Sequence, residues 1–381
     1  MLYYIGYFNC DEIRSENRIV APAAENKMNY IVSALAEAVD GEIEIISPAQ
    51  TKEYKFIKGD KRRIGDRVFL KTFATFNCRN KLLRVAGHLL TRLSFLFYLL
   101  LSLNSEDSVI VYHSLSYMSI ISFLKKIKGF NLVFEVEELY SDVTDDEALR
   151  KKEIDYLQIA ESYIFVTELL RNKVNKEKKY LTSHGTYNSV DDLNFRFNDD
   201  KIHVVYAGTF RKAKGGVYTA ISAAEHLDDN YVLEILGNGS ENEIQEVKDL
   251  INVISAKTSC KINYAGFMSG EAFNKYIQAC HIGLSTQPKD AVFNDTSFPS
   301  KVLTYMSNGL RVVSVRIPAV ETSLVGEYIY YYDVQEAECI AQAIKKAASD
   351  SDCDVRGVLD TLSRNFVLDL KDLLTGEKYE S

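Results

Sequence analysis

Asp295-Thr-Ser-Phe-Pro-Ser-Lys301-Val-Leu-Thr304-Tyr-Met-Ser-Asn-Gly309-Leu-Arg-Val-Val-Ser314-Val315 reads as a loop, a short helix, a glycine stop and a buried strand. Ser297 is a residue type that caps helices, and Pro299 suits a first helical turn. Asn308-Gly309 ends the helix, and Leu310 to Val315 is a mostly apolar run of strand length. The loop therefore aims at a helix N-terminus, where free N–H groups and the dipole favour an anion. Ser297, Ser300 and Lys301 add donors and a positive charge, so the stretch reads as a seat for a diphosphate. An ordinary capped helix in an α/β domain fits the same residues.

Outward from this stretch, strands alternate with helices. Ile202 to Ala207, Tyr231 to Leu236, Lys261 to Ala265 and Ile282 to Ser285 read as strands separated by helical segments. Before them, Leu2 to Phe8, Glu42 to Ile46, Val109 to Tyr112, Leu132 to Val136 and Tyr163 to Val166 repeat the pattern, with helices over 26–39, 80–103, 117–128 and 147–160. Such alternation implies mostly parallel sheets covered on both faces. The basic stretch 52–71 shows no clear period, and the polar, acidic stretch 188–200 reads as a linker. The expected architecture is α/β, with two Rossmann-like doubly wound domains facing a central cleft. Residues 1–190 form the first domain and 200–360 the second, and a C-terminal helix over 361–381 packs back on the first.

The totals narrow the function. Net charge is −8, which argues against nucleic acid as a partner. The charge is uneven: residues 51–92 hold twelve Lys and Arg against three Asp and Glu. Six scattered cysteines without a C-x-x-C pair fit a reduced, cytoplasmic protein and no metal site. Leu2 to Phe8 lacks the basic flank of a signal peptide. The apolar run Leu93 to Leu103 has about half the length of a bilayer span.

The second domain opens with Tyr206-Ala-Gly208-Thr-Phe-Arg211-Lys212-Ala-Lys214-Gly215-Gly216: a strand, a glycine turn, cations, then glycines before a helix. Glycine lets backbone approach a phosphate closely, and the cations neutralise it. The stretch is neither a P-loop nor G-x-G-x-x-G. Gly237-Asn-Gly239, then Tyr264-Ala-Gly-Phe267, then Phe298-Pro-Ser-Lys301-x-x-x-Tyr305-Met-x-x-Gly309 follow in order.

Together these motifs resemble the donor-binding domain of glycosyltransferase family 4, of the GT-B fold, over Ile202 to about Tyr332. The first domain matches only in layout. The resemblance implies a retaining, metal-independent transfer from a nucleotide-diphosphate sugar, with no cofactor. Lys214 matches the family's diphosphate lysine, and Gly208, Ser300 and Lys301 fall at its phosphate loops. The arginine that usually follows the glycine is Thr209 here, so Arg211 or Lys212 must substitute. Two family glutamates, one near the donor sugar and one on the ribose, fall at Thr296 and Thr304. Pro299 lies between them, and Phe267 falls at the base-binding turn. Many members act on lipid-linked sugars at the inner leaflet, which implies a glycan or lipid-linked glycan acceptor and bacterial surface polysaccharide synthesis.

The first domain supplies acceptor and acid/base candidates. Glu135, Glu137 and Glu138 cluster at a strand's C-terminal end, where carboxylates raise one another's pKa. A helix-start cluster explains them equally. His113 follows the strand 109–112 at the same edge, and a structural histidine is the plainer reading. Arg18, Asn26 and Lys27 lie in or beside the first strand-to-helix loop and would face an acceptor. The cations of 52–92 before Leu93 to Leu101 suit peripheral contact of 52–103 with an anionic membrane, or a buried helix with basic neighbours. Three rivals remain: an inverting GT-B transferase using His113 or a glutamate as base, a non-catalytic nucleotide- or glycan-binding partner, and a nucleotide-sugar epimerase.

Overall fold

Strands that are apolar on both faces must be covered on both faces, and the two sheets of this protein obey that rule. The structure is a computed structural model, and it describes all residues except 145, 212–214, 292–293, 295, 351–352 and 377–381. Two units divide the chain: Met1–Thr186 with Arg364–Ser381, and Tyr187–Ser363.

In the first unit the elements run β1 Leu2–Ile5, α1 Pro22–Ala38, β2 Ile43–Ser47, β3 Phe56–Ile57, β4 Lys61–Arg63, β5 Val68–Thr72, β6 Thr75–Phe76 and α2 Lys81–Ser102. They continue as β7 Ser108–Tyr112, α3 Met118–Lys128, β8 Asn131–Val136, α4 Tyr140–Thr144, α5 Glu147–Leu157, β9 Ser162–Phe165, α6 Leu169–Val174 and β10 Lys179–Thr182. The main sheet has the order β10-β9-β8-β7-β1-β2-β5-β4. Its pairs are parallel except β4 on β5. α1 starts before the expected Asn26, at Pro22, whose missing N–H costs nothing in a first turn. α2 starts where Asn80 Oδ1 accepts from the N–H groups of Leu82 and Leu83, at 2.9 and 3.2 Å.

The basic stretch 52–71, without a clear period in the sequence, holds β3, β4 and most of β5. In β5 the side chains of Val68, Leu70 and Thr72 are buried while Phe69 and Lys71 lie between core and solvent, a period of two obscured by the flanking cations.

In the second unit the elements are β11 Ile202–Thr209, α7 Gly216–Ala223, β12 Tyr231–Asn238, α8 Glu241–Ser255, β13 Lys261–Gly266, α9 Gly270–Gln278 and β14 Ile282–Ser285. Then come α10 Lys301–Ser307, β15 Arg311–Val315, α11 Pro318–Glu321, β16 Ile329–Tyr332, α12 Ala337–Ser349 and α13 Val355–Thr375. The sheet is parallel throughout, in the order β13-β12-β11-β14-β15-β16. α13 begins among residues of the second unit and ends among those of the first, where Phe366 stacks on Tyr30 of α1 at 5.6 Å.

The expected linker has no regular structure, yet it is tied to the second unit. Gln278 accepts from the Leu193 N–H at 2.9 Å and donates to the Asp191 carbonyl at 2.9 Å. Phe197 stacks on His203 at 4.0 Å.

Candidate functional site

In chain order the second sheet reads third, second, first, fourth, fifth, sixth strand, so the winding reverses between β11 and β14. Open α/β sheets take ligands at the C-terminal ends of the strands on either side of such a reversal. The two strands pair only at Val204–Ile282 and Val205–Gly283, and beyond that they part. The buried Tyr305 of α10 fills the gap. Its hydroxyl accepts from the Ala207 N–H at 2.9 Å and donates to the Leu284 carbonyl at 3.3 Å. The ring lies flat against Gly283, where a Cβ would stand 2.2 Å from Tyr305 Cγ.

The crevice continues into a cavity of about 350 Å³. Gly208 and Thr209 line it from β11, Gly216 from α7, and Gln287 and Asn294 from the loop after β14. Ser297, Phe298, Pro299, Ser300 and Lys301 close the other side. The Lys301 ammonium stands 4.1 Å from the centroid of the Tyr206 ring. Gly208 makes this possible, since a Cβ there would sit 2.5 Å from Lys301 Nζ. Gly208 pairs in register with Gly237, whose φ of +141° and closeness to the Gly208 carbonyl exclude a side chain.

Two helix N-termini flank the cavity without a side-chain cap: α7, preceded by Gly215 at φ +57°, and α10. Their first N–H groups point out of the helices with the positive end of the dipole. Thr286 holds the α7 start by donating to the Gly216 carbonyl at 2.6 Å. The arrangement offers an anion one ammonium and the first N–H groups of two helices, less the Val302 N–H that the Pro299 carbonyl takes.

The expected cap differs. α10 begins at Lys301, and Ser300 occupies the capping position with helical dihedrals, so Ser297 stands three residues before the cap. Pro299 lies in the loop, where its carbonyl accepts from the Val302 N–H at 3.0 Å. Gly208, Ser300, Lys301 and Pro299 are brought together, whereas Arg211 is exposed and does not line the cavity. Lys214 and Lys212 lie outside the described residues. Thr296 is buried, and the Thr304 hydroxyl donates to the Ser300 carbonyl at 3.0 Å, inside its own helix. Phe267 is 65% exposed after Gly266, away from the cavity lining. Tyr206 and Tyr305 escaped the sequence reading as site residues, though both stand in the motifs that define the domain.

In the first unit Glu135 is fully buried on β8, and Tyr4 of β1 donates to its Oε2 at 2.6 Å. Burial first, then the charge of Glu137, pushes the Glu135 carboxyl up to about 8, with Lys27 and Tyr4 opposing. Burial likewise raises Glu137 against the pull of Lys27, whose Nζ is 3.5 Å from Glu137 Oε1. Burial thus holds Glu135 toward its protonated form and at the same time shuts its side chain off from solvent. Glu138 is partly buried in the turn before α4.

Three of the remaining candidates, His113, Arg18 and Lys27, are buried among partners within the unit. His113 is 2% exposed, and its Nε2 lies 3.4 Å from Oε1 of the buried Glu153. Glu153 in turn accepts from the N–H groups of Tyr140 and Ser141, both at 2.9 Å. Burial lowers the His113 pKa against the Glu153 charge, and the ring is closed to a substrate. Arg18 is buried too: it donates to the carbonyls of Ala49 and Phe73 and pairs with Glu16 at 2.7 Å. Lys27 donates to the Ser183 hydroxyl at 2.8 Å, the Ser183 carbonyl and the Gly185 carbonyl. Neither cation faces an acceptor, because distant backbone oxygens already use their donors. Asn26 is exposed on α1. Among the described residues no group of three or more His, Cys, Asp or Glu gathers in metal-binding geometry.

Residues 201–350 match the family described as Glycosyl transferases group 1. No curated relative matches the chain. Solved structures resemble it over nearly its whole length. A sucrose-phosphate synthase from Thermosynechococcus elongatus aligns with a TM-score of 0.63 at 15% identity, covering 98% of each chain. An E. coli trehalose-6-phosphate structure bound with UDP-2-fluoro glucose gives 0.63 at 11%, again covering 98% of each. An α,α-trehalose 6-phosphate synthase from Burkholderia multivorans gives 0.63 at 11%, covering 100% of this chain and 99% of that one.

Proposed function

We propose that this GT-B glycosyltransferase, whose residues 201–350 are a group 1 glycosyl transferase domain, moves a sugar from a nucleotide diphosphate to a glycan or lipid-linked glycan. One observation carries the reading: the Lys301 ammonium stands against Gly208 and Tyr206 in the crevice where β11 and β14 part. A diphosphate held there would meet that charge and the uncapped N–H groups of α7 and α10. Lys214 and Arg211 are the further cations the sequence offers. The UDP-2-fluoro glucose of the E. coli relative is a donor of the proposed kind.

In this reading the anomeric carbon–oxygen bond to the diphosphate breaks, and an acceptor hydroxyl oxygen bonds to the same face of that carbon. The hydroxyl proton passes to a diphosphate oxygen, so the products are the glycoside and the nucleoside diphosphate. Lys301 and the helix N–H groups stabilise the leaving charge, which is the work a metal ion does elsewhere. Retention rests on the family resemblance. The acceptor falls to the first unit, where Glu135 and Glu137 are the titratable candidates. Six free cysteines fit a cytoplasmic enzyme. The exposed apolar face of α2 fits peripheral contact with the inner face of the membrane during surface polysaccharide synthesis.

Thermal shift with UDP, GDP, ADP and CMP tests the donor site. One nucleoside diphosphate should raise the melting temperature, and Lys301→Ala should weaken its binding roughly 10- to 100-fold, the worth of a charged hydrogen bond. Equal binding to parent and variant would remove the diphosphate from this crevice. The missing acids at Thr296 and Thr304 favour a second reading, a nucleotide-binding partner without turnover. Intact binding with no nucleotide release from any sugar donor would select it.

A further inference from the structure

The first sheet also reverses its winding, between β1 and β7. The crevice at the C-terminal ends of those strands is therefore where that sheet takes a ligand. A cavity of about 170 Å³ lies there. Tyr7, Gln50 and Ser116 line it from the loops after β1, β2 and β7, and His88 and Arg92 line it from α2. The lining holds an arginine and a histidine but no carboxylate. Tyr7 and Ser116 share a hydroxyl contact at 2.5 Å, and Arg92 reaches the Ser119 hydroxyl at 3.0 Å. Small-molecule sites usually measure ~300–1,000 Å³, so this one admits a phosphoryl group and nothing as large as a nucleotide sugar.

α2 has a second face. Gly87, Thr91, Phe95 and Leu99 recur every four residues and are buried against the unit. Thr91 donates to the Ala74 carbonyl at 2.6 Å, and a Cβ on Gly87 would lie 2.8 Å from the Phe76 carbonyl. On the opposite arc Leu82, Leu89, Leu90, Leu93, Phe97 and Leu101 are exposed, Leu82 at 80% and Leu101 at 84%. Arg84, His88 and Arg92 run in line along one border of that arc. Among the described residues this is the one helix long and apolar enough to cross a membrane. The apolar run from Leu93 is only the second half of this helix. Its anchored face keeps it beside the sheet, so only the other face is open to lipid. An exposed apolar stripe with a basic border is the pattern of a helix lying in the plane of an anionic bilayer.

One helix thus supplies both the cationic wall of the cavity and the apolar stripe. We infer that the cavity seats the phosphoryl head of a lipid-linked acceptor, while its apolar chain and the surrounding bilayer lie against α2. The inference rests on the lipid-linked acceptor reading and adds the residues that select the head: Arg92 and His88, with Tyr7 and Ser116 as hydroxyl partners.

The test is flotation of the full-length protein with phosphatidylcholine vesicles containing polyprenyl phosphate, or phosphatidylglycerol at matched surface charge. The parent should prefer polyprenyl phosphate roughly tenfold, the size of one charge-assisted contact. Arg92→Gln should abolish that preference and leave phosphatidylglycerol binding in place. Leu89→Asp with Leu93→Asp should remove binding to both; these positions are exposed, so melting temperatures should hold. Equal binding of the parent to both vesicles would overturn the inference, as would an Arg92→Gln loss of equal size on both. Full displacement by inorganic phosphate would make the site one for a free anion. Self-association through α2 with no vesicle binding would make it a protein interface. Either result overturns the lipid assignment. The UDP thermal shift run beside these assays reports the donor site separately.

Discussion

Tyr305→Phe separates the two jobs of the tyrosine in the second unit. The substitution keeps the ring on Gly283 and deletes only the hydroxyl that spans the parting strands β11 and β14. No cavity of methyl size is left, so the hydrophobic term is nearly unchanged. What changes is the buried Ala207 N–H, which loses its acceptor at 2.9 Å. An orphaned buried donor costs about 1–3 kcal/mol. The Leu284 carbonyl loses a longer partner at 3.3 Å, and a half-satisfied carbonyl is tolerated better than an orphaned N–H. The sum stays near 1–3 kcal/mol, and a domain of this size loses about 2–4 °C of melting temperature per kcal/mol. Calorimetry of the full chain with and without a nucleoside diphosphate identifies the transition to watch, because only the second unit's should rise with ligand. That transition should fall by roughly 2–12 °C in the variant. Tyr206→Phe is the control: its hydroxyl contact to the Thr209 carbonyl is 3.4 Å long, so its loss should cost less than about 1 kcal/mol. A Tyr305→Phe protein as stable as the parent, or two tyrosine variants that behave alike, would refute the view that this hydroxyl bridges the crevice.

Two further outcomes follow from the same geometry. Gly208→Ala puts a Cβ 2.5 Å from the flexible end of Lys301, so stability should change by less than about 1 kcal/mol while nucleotide affinity falls at least roughly tenfold; circular dichroism melts and titration calorimetry read the two. Glu135 has a folded pKa raised to about 8, so its contribution to stability is full below its unfolded value and is lost as pH rises toward 8; Glu135→Gln, which mimics the protonated acid, should flatten the parent's stability loss across that window in urea titrations, and parallel curves would contradict the raised pKa.

How much of this was legible in the sequence depended on the distance over which each residue acts. Alternating strands and helices are local patterns, and β11 to β15 fell close to where the apolar runs put them. Lys301 could be paired with Gly208 without coordinates because a parallel sheet sends every strand's following loop to one edge. Arg18 and Lys27 could not be read the same way. Their acceptors are the backbone oxygens of Ala49, Phe73, Ser183 and Gly185, and no residue type announces a carbonyl that needs a cation. His113 was placed at the correct sheet edge, but the buried Glu153 that claims its ring sits on α5. β5 was hidden because cations flank it and Lys71 takes one of its two outward positions. In α2 the helix was plain, whereas which arc would be buried depended on Ala74 and Phe76 arriving beside it.

The threonines at 296 and 304 bear on where donor affinity comes from. Carboxylates at those places would bind sugar and ribose hydroxyls, and they would also repel the diphosphate. Here the described residues lining the cavity include one cation and no acid. Thr304 donates its hydroxyl hydrogen to Ser300 and keeps only a neutral acceptor, and Thr296 is buried, so neither replaces a carboxylate. The described lining therefore carries a net positive charge, and two helix starts without side-chain caps add to it. Affinity should therefore reside mainly in the diphosphate and little in the ribose. Charge-assisted contacts are stronger than neutral ones, and they also weaken with salt. A donor held in this way is selected by its leaving group, and the choice of sugar passes to contacts outside the phosphate seat. In the proposed reading, threonine at both positions leaves the stabilisation of a departing diphosphate by Lys301 undiminished.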